Sequence, residues 1–252
     1  MNFDRPNIVR DLLSVSHEFG KRDLVILGEG NVSARLDDST FLVKASGSSL
    51  GTLTEDHLTE CSFDRLLSFL GEKPVSDSEI EAALLGSRVH SSALKPSVET
   101  FFHAFLLSLP EVRFVGHTHP IPVNQILCSS HAGAFSRQRQ CPDEVVCCGP
   151  VSLLIPYVDP GLALARRIRS ELHVFQERNG KLPRVILLKN HGVITLGASV
   201  QAISAAMLMT VKAAEVYVGA QLLGGLRPLP ETEVVRIESR LDEEYRRKML
   251  KI

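Results

Sequence analysis

The chain has no tryptophan and only three tyrosines, Tyr157, Tyr217 and Tyr245, in 252 residues. The stripes of aromatic and basic side chains that stack nucleic-acid bases therefore have almost nothing to be built from. Excess charge of one sign is missing too: 28 basic against 29 acidic residues give a formal net charge of -1. That balance, with no basic run, argues against nucleic acid or an anionic membrane surface as partner. No stretch approaches the roughly 18 consecutive apolar residues of a membrane-spanning helix. The polar opening Met1-Asn2-Phe3-Asp4-Arg5-Pro6 lacks the apolar core of an export signal. There are five cysteines, Cys61, Cys128, Cys141, Cys147 and Cys148, an odd number with two adjacent. They read as unpaired thiols in a reducing cytoplasm. Taken as strand neighbours, Cys147 and Cys148 point to opposite faces and do not converge on one ion.

What is present is ordinary globular composition, 44% hydrophobic and 23% charged, without internal repeats. The length fits one α/β domain over residues 1–252. Residue patterning predicts helices over 6–20, 77–85, 97–108, 122–127, 160–178 and 199–222, with Asp77 or Ser78 and then Ser97 as N-caps, and a polar last helix over 231–250. A short helical turn is expected over 53–58, capped by Thr54. Val32–Leu36 and Phe41–Lys44 alternate around a polar turn and read as a hairpin. Strands are also expected over 112–119, 145–146, 151–155, 185–188 and 193–196. Interleaved strands and helices with a hairpin predict a mixed-sheet α/β/α arrangement.

Three histidines stand out within this pattern. His117-Thr118-His119 places two imidazoles at i and i+2, on one strand face and roughly 6–7 Å apart at Cα. His191 ends a second apolar run, Val185-Ile186-Leu187-Leu188. Two strands that each end in histidine can meet at one sheet edge, where ligands bind in open α/β sheets. With Glu99, in the first turn of the helix that Ser97 opens, the set offers three imidazoles and a carboxylate. Such a set suits Zn, Co, Ni or Fe better than the all-oxygen shells of Mg or Ca. Gly30-Asn31, Ser46-Gly47 and Ser97 lie in loops or at a helix start, where backbone N–H groups favour an anion; singly, each also reads as a plain turn residue.

These motifs together resemble the class II aldolase/adducin family over about residues 7–225. Gly30-Asn31-Val32-Ser33-Ala34-Arg35 is similar to its early Gly-Asn-Val-Ser loop and Ala45-Ser46-Gly47 to its second phosphate loop. Pro96-Ser97-Val98-Glu99, followed by His103, resembles its Pro-Ser-Ser-Glu segment. His117-Thr118-His119 and Asn190-His191-Gly192 match its metal histidines. The resemblance implies a three-layer α/β/α fold with a central mixed, mainly antiparallel sheet. It also implies a homotetramer with active sites at subunit interfaces, and a sugar phosphate as substrate. His117, His119, His191 and Glu99 would hold Zn2+ or another divalent ion such as Co, Ni, Mn or Fe. Glu99 would be the acid/base of an aldolase working through an enediolate of dihydroxyacetone phosphate. Gly30, Asn31, Ser46, Gly47 and Ser97 would take the phosphate. A sugar-phosphate 4-epimerase, a non-catalytic adducin-like module, and a lyase or decarboxylase on a non-phosphorylated acid are the alternatives. Glu rather than Asp at position 99 favours the aldolase over the epimerase. Two departures stand out. Val98 replaces the second Ser, and 128–142 holds no Tyr to serve as proton donor. That stretch carries Arg137, Gln138 and Arg139, which read either as partners for a substrate anion or as a solvated loop.

Overall fold

The structure, a computed structural model, describes residues 4–252; the polar start at Met1–Phe3 lies outside the described residues. The chain packs as two compact units, one of Met1–Val115 with Val158–Ser170 and one of Gly116–Tyr157 with Glu171–Ile252. The strands follow the order β3 (Leu58–Ser62), β2 (Thr40–Lys44), β1 (Asn31–Arg35), β4 (Phe114–Thr118), β7 (Gly192–Gly197), β6 (Val185–Leu188), β5 (Leu153–Ile155) in a mixed sheet flanked by helices, the expected three-layer α/β/α class.

The first unit opens with α1 (Arg5–Phe19), whose apolar Ile8, Val9, Leu12, Val15 and Phe19 lie on one buried stripe. Gly20 ends the helix, its N–H bonded to Ser16 O at 2.7 Å. The predicted hairpin forms from β1 (Asn31–Arg35) and β2 (Thr40–Lys44), with Ser33 opposite Val43. Asp37 Oδ1 holds its turn by accepting from the N–H groups of Ser39 at 2.7 Å and Thr40 at 2.8 Å. β3 (Leu58–Ser62) pairs antiparallel with β2. The helices α2 (Phe63–Leu67), α3 (Asp77–Ser87) and α4 (Thr100–Leu107) follow, and then β4 (Phe114–Thr118) begins.

The second unit takes the end of β4, then α5 (Ile121–Leu127), α6 (Ala132–Arg137), α7 (Pro142–Cys148) and β5 (Leu153–Ile155). The chain passes through α8 (Leu162–Asn179), which starts in the first unit, into β6 (Val185–Leu188) and β7 (Gly192–Gly197). β5 and β6 run parallel, whereas β6 and β7 form an antiparallel hairpin with Leu188 opposite Gly192. α9 (Val200–Leu222) has the length and hydropathy of a membrane span. Ile203, Ala206, Met207, Thr210, Ala213, Ala214 and Tyr217 form its buried stripe, and it packs on α5, α7 and β7 as a core helix does. α10 (Glu231–Glu238) and α11 (Leu241–Leu250) close the chain.

Several local expectations need correction. Val145–Val146 is not a strand but part of α7, which Pro142 starts and Gly149, at φ 77°, stops. That bracketing outweighs the β-branched pair, which packs instead against Val234 and Ile237 of α10. Cys147 and Cys148 are thus helix neighbours, and the Cys148 thiol sits 3.5 Å from Thr210 Oγ1, with burial pushing its pKa up to about 12. The predicted helix 231–250 breaks at Arg240, which is extended and pairs with Asp242. Ser76, not Asp77 or Ser78, caps α3, in a reciprocal box with Glu79. The turn at 53–58 is a short 3-10 turn, Glu55–His57, with Thr54 at its N-cap but no side-chain cap bond. α4 starts three residues later than expected, so Ser97 does not cap it and Glu99 occupies the N-cap.

Arg139 lies in neither a solvated loop nor a position to meet a substrate anion: it is 2% exposed. Its guanidinium donates to Gly149 O at 2.7 Å, Ser152 Oγ at 2.9 Å and Gln138 O at 3.0 Å, with Glu144 at 3.7 Å. Burial raises the Glu144 carboxyl above its ordinary pKa, against the pull of Arg139. Removing one partner of a buried pair strands the other. Arg139→Met is therefore expected to cost about 3–5 kcal/mol in urea denaturation, and Arg139→Met with Glu144→Gln should recover part of that loss.

Candidate metal centre

The three predicted histidines come together in the second unit. His117 lies in β4, with His119 just past its end; at i and i+2 both face the same way, while Thr118 points elsewhere and donates to Met207 Sδ at 3.0 Å. His191 sits in the tight turn between β6 and β7. Asn190 makes that turn at φ 56°, a conformation Asn tolerates. His191 N donates to Leu188 O at 3.2 Å, and Asn124 Nδ2 holds the His191 carbonyl at 3.0 Å. The ring centroids are 4.7, 4.9 and 5.0 Å apart, with the planes steeply crossed. One ligand atom from each ring lies within 4.8 Å of the others.

The donor set fits a divalent transition metal. His117 Nδ1 lies 3.0 Å from Val193 O. A carbonyl only accepts, so Nδ1 carries the proton and Nε2 keeps its lone pair. The Nε2 atoms of His117 and His119 are 2.9 Å apart, close to the roughly 3 Å that separates two nitrogens each about 2.0–2.1 Å from one ion. Gly192 makes this approach possible. A Cβ there would meet Thr118 O at 2.5 Å, His119 Cδ2 at 2.6 Å and His117 Cε1 at 3.2 Å.

Glu99 belongs to the first unit, 8% exposed, and Asn31 Nδ2 donates to its Oε2 at 2.5 Å. The predicted anion-binding residues surround this pair in the chain. Gly30, at φ 68°, leads into β1, and Gly47, at φ 77°, tops an exposed loop. Ser46 N–H is already bonded to Lys95 O at 2.9 Å. Ser97 Oγ accepts weakly from Glu99 N at 3.3 Å, which leaves its hydroxyl proton to donate. Lys44, at the end of β2 and 2% exposed, joins the two loops: its Nζ donates to Gly28 O at 3.1 Å and Ser48 O at 2.6 Å. Burial drives its pKa down to about 8, while the negative charge of Glu99 pulls it back up.

Sequence reasoning missed Gly192, Val193 and Lys44, and gave His103 no role. A lysine closing the apolar run Phe41-Leu42-Val43 was the available signal for Lys44. For Val193 there was none, since only its backbone carbonyl acts.

Residues 10–218 match the family described as "Class II Aldolase and Adducin N-terminal domain". The chain belongs to the class II aldolase/adducin family. It is 26% identical over 242 residues to "Uncharacterized oxidoreductase YuxG" of Bacillus subtilis, covering 90% of this chain and 33% of that protein. The chain thus spans a third of that relative's length. It is 29% identical over 189 residues to the 3-oxo-tetronate 4-phosphate decarboxylase of Haemophilus influenzae, covering 74% of this chain and 75% of that one. Among solved structures, it resembles the N-terminal class II aldolase domain of a conserved Thermoplasma acidophilum protein, with a TM-score of 0.68 at 26% identity. That match covers 86% of this chain and 96% of the other.

Two outcomes are expected. His119→Ala and Gly192→Ala should both stay folded by circular dichroism yet lose at least about tenfold in zinc affinity by calorimetry; undiminished binding in His119→Ala would refute the ligand assignment. The second concerns Lys44, whose pKa is lowered from the usual 10.5 to about 8, so the folded state binds its proton less tightly than the unfolded chain. Stability therefore rises with pH between those values, by about 2 kcal/mol from this group over the interval from about pH 7.5 to about pH 9.5. Urea unfolding at about pH 7.5 and pH 9.5 should show that gain reduced in Lys44→Met.

Proposed function

We propose that this protein is a metal-dependent lyase that breaks or forms a carbon–carbon bond in a small sugar-phosphate-like substrate. The triad of His117, His119 and His191 supports this most directly, because its nitrogens converge and His117 is held in the tautomer that a metal ligand needs. A bound divalent ion, zinc or Co, Ni, Mn or Fe, supplies Lewis-acid stabilisation of negative charge on substrate oxygens. The chain does the rest. Glu99 takes the acid/base role, moving the proton at the carbon next to the carbonyl; this assignment comes from the Pro96–Glu99 motif and from the Asn31 amide that holds its carboxylate. The Gly30 and Gly47 backbone and the Ser97 hydroxyl receive the substrate's anionic group. Ser46 and the Asn31 side chain contribute less directly, since Lys95 and Glu99 already engage them. The family reading supports a homotetramer, and the unpaired cysteines support a reducing, cytoplasmic setting.

The first form of this activity is aldol cleavage of a ketose 1-phosphate to dihydroxyacetone phosphate and an aldehyde. Decarboxylation of a phosphorylated 3-oxo acid is the second, favoured by the 29% identity to a 3-oxo-tetronate 4-phosphate decarboxylase. Chemistry favours it as well. Aldol cleavage needs one group to take a hydroxyl proton and another to protonate the carbanion, whereas loss of carbon dioxide needs only the second. With Glu99 assigned and no Tyr in 128–142, decarboxylation asks for fewer groups.

The purified protein is expected to carry about one divalent metal per chain by elemental mass spectrometry. It should release dihydroxyacetone phosphate or carbon dioxide from a panel of ketose 1-phosphates and phosphorylated 3-oxo acids. Glu99→Gln should lower kcat by about 10²–10⁴-fold. Isomerised substrate with both fragments retained would point to the 4-epimerase, and no metal uptake after adding Zn or Co would overturn the proposal.

A further inference from the structure

Four buried side chains of the first unit form one hydrogen-bonded series. Glu99 and His103 stand one turn apart at the start of α4, and Asn31 and Ser33 share one face of β1. His103 Nδ1 lies 2.6 Å from Ser33 Oγ, His103 Nε2 bonds Asn31 Oδ1, and Asn31 Nδ2 reaches Glu99 Oε2 at 2.5 Å. Ser33 and His103 are fully buried, and Asn31 is 2% exposed.

The carboxylate sets the direction of these bonds. Glu99 Oε2 only accepts, so Asn31 turns its NH2 toward it and its Oδ1 toward His103, and Nε2 carries a proton. In the singly protonated ring Nδ1 is then an acceptor, and the Ser33 hydroxyl donates to it. With its carbonyl gripped by His103, the Asn31 amide has one orientation, its NH2 toward the carboxylate. Flipping it would set oxygen against oxygen at Glu99, and N–H against N–H at a ring that keeps its proton on Nε2, leaving buried groups unsatisfied.

We propose that His103, its ring held by Ser33, is a positioning residue: it bonds Asn31 directly and locks the amide that holds the Glu99 carboxylate in the orientation required for proton transfer. The kinetic consequence rests on the lyase activity proposed above; the lock itself does not. Leu at 103 fills the volume without donating, whereas Gln places an amide N–H near the position of Nε2.

The test compares His103→Leu and His103→Gln in the full-length protein, both first shown to be folded by thermal melts. His103→Leu is expected to lower kcat by about 10²-fold with KM within about threefold, and His103→Gln to restore most of the loss. Nitrogen-15 spectra of labelled histidine should place the wild-type proton on Nε2. One Asn31 side-chain amide proton should be shifted downfield in the wild type and not in His103→Leu. A proton on Nδ1, an Asn31 signal indifferent to the Leu change, an unchanged kcat in His103→Leu, or no rescue by Gln would each overturn the proposal. If the wild type cleaves no substrate, the lyase activity fails on its own, and the spectra still decide whether His103 locks Asn31.

Discussion

The hydrogen bond from His117 Nδ1 to the carbonyl of Val193 is the interaction on which the candidate centre turns. It commits one ring nitrogen to the backbone of β7 and leaves the other as a lone-pair donor. It exists only because the start of β7 comes close to β4, and that closeness needs Gly192 to have no side chain. His191 precedes this glycine, in a turn that Asn190 makes with a left-handed backbone. Three adjacent residues thus give the turn, one imidazole of the triad and the space for the other two. The cost of burying the His117 ring is offset because Nδ1 bonds Val193 O and Nε2 faces His119 Nε2.

In the first unit, hydrogen bonds between side chains offset a similar cost. Asn31, Ser33, Glu99 and His103 would each be costly to bury alone, but as a series they satisfy one another. Lys44 adds a buried ammonium held by two carbonyls, with the charge of Glu99 opposing its desolvation. A polar network of this kind restrains side chains that an apolar core would leave mobile, which is what proton transfer demands of its acid and base.

Legibility followed the range of the interactions. The helices at 5–19, 162–179 and 200–222 and the hairpin around Asp37 were readable because periodicity and turn chemistry are local. α7 was misread because a β-branched pair spoke for a strand while its boundary residues, Pro142 and Gly149, spoke for a helix and prevailed. Arg139 looked like a loop cation, because nothing local announces that Gly149, Ser152 and Glu144 will close around it.

The sequence by itself determined the family, the alternation that turns His117 and His119 to one side, and the presence of three imidazoles of the type that can hold a transition metal. Each of these depends on residue type and spacing, which are written along the chain. Only the tertiary structure decided that His191 joins the pair, that Val193 sets the tautomer of His117, and that His103 reaches Asn31. These depend on contacts between residues 70 to 76 positions apart and on backbone groups whose identity carries no signal. The packing of strands and helices places them, and that packing is the sum of many weak burials rather than of any motif.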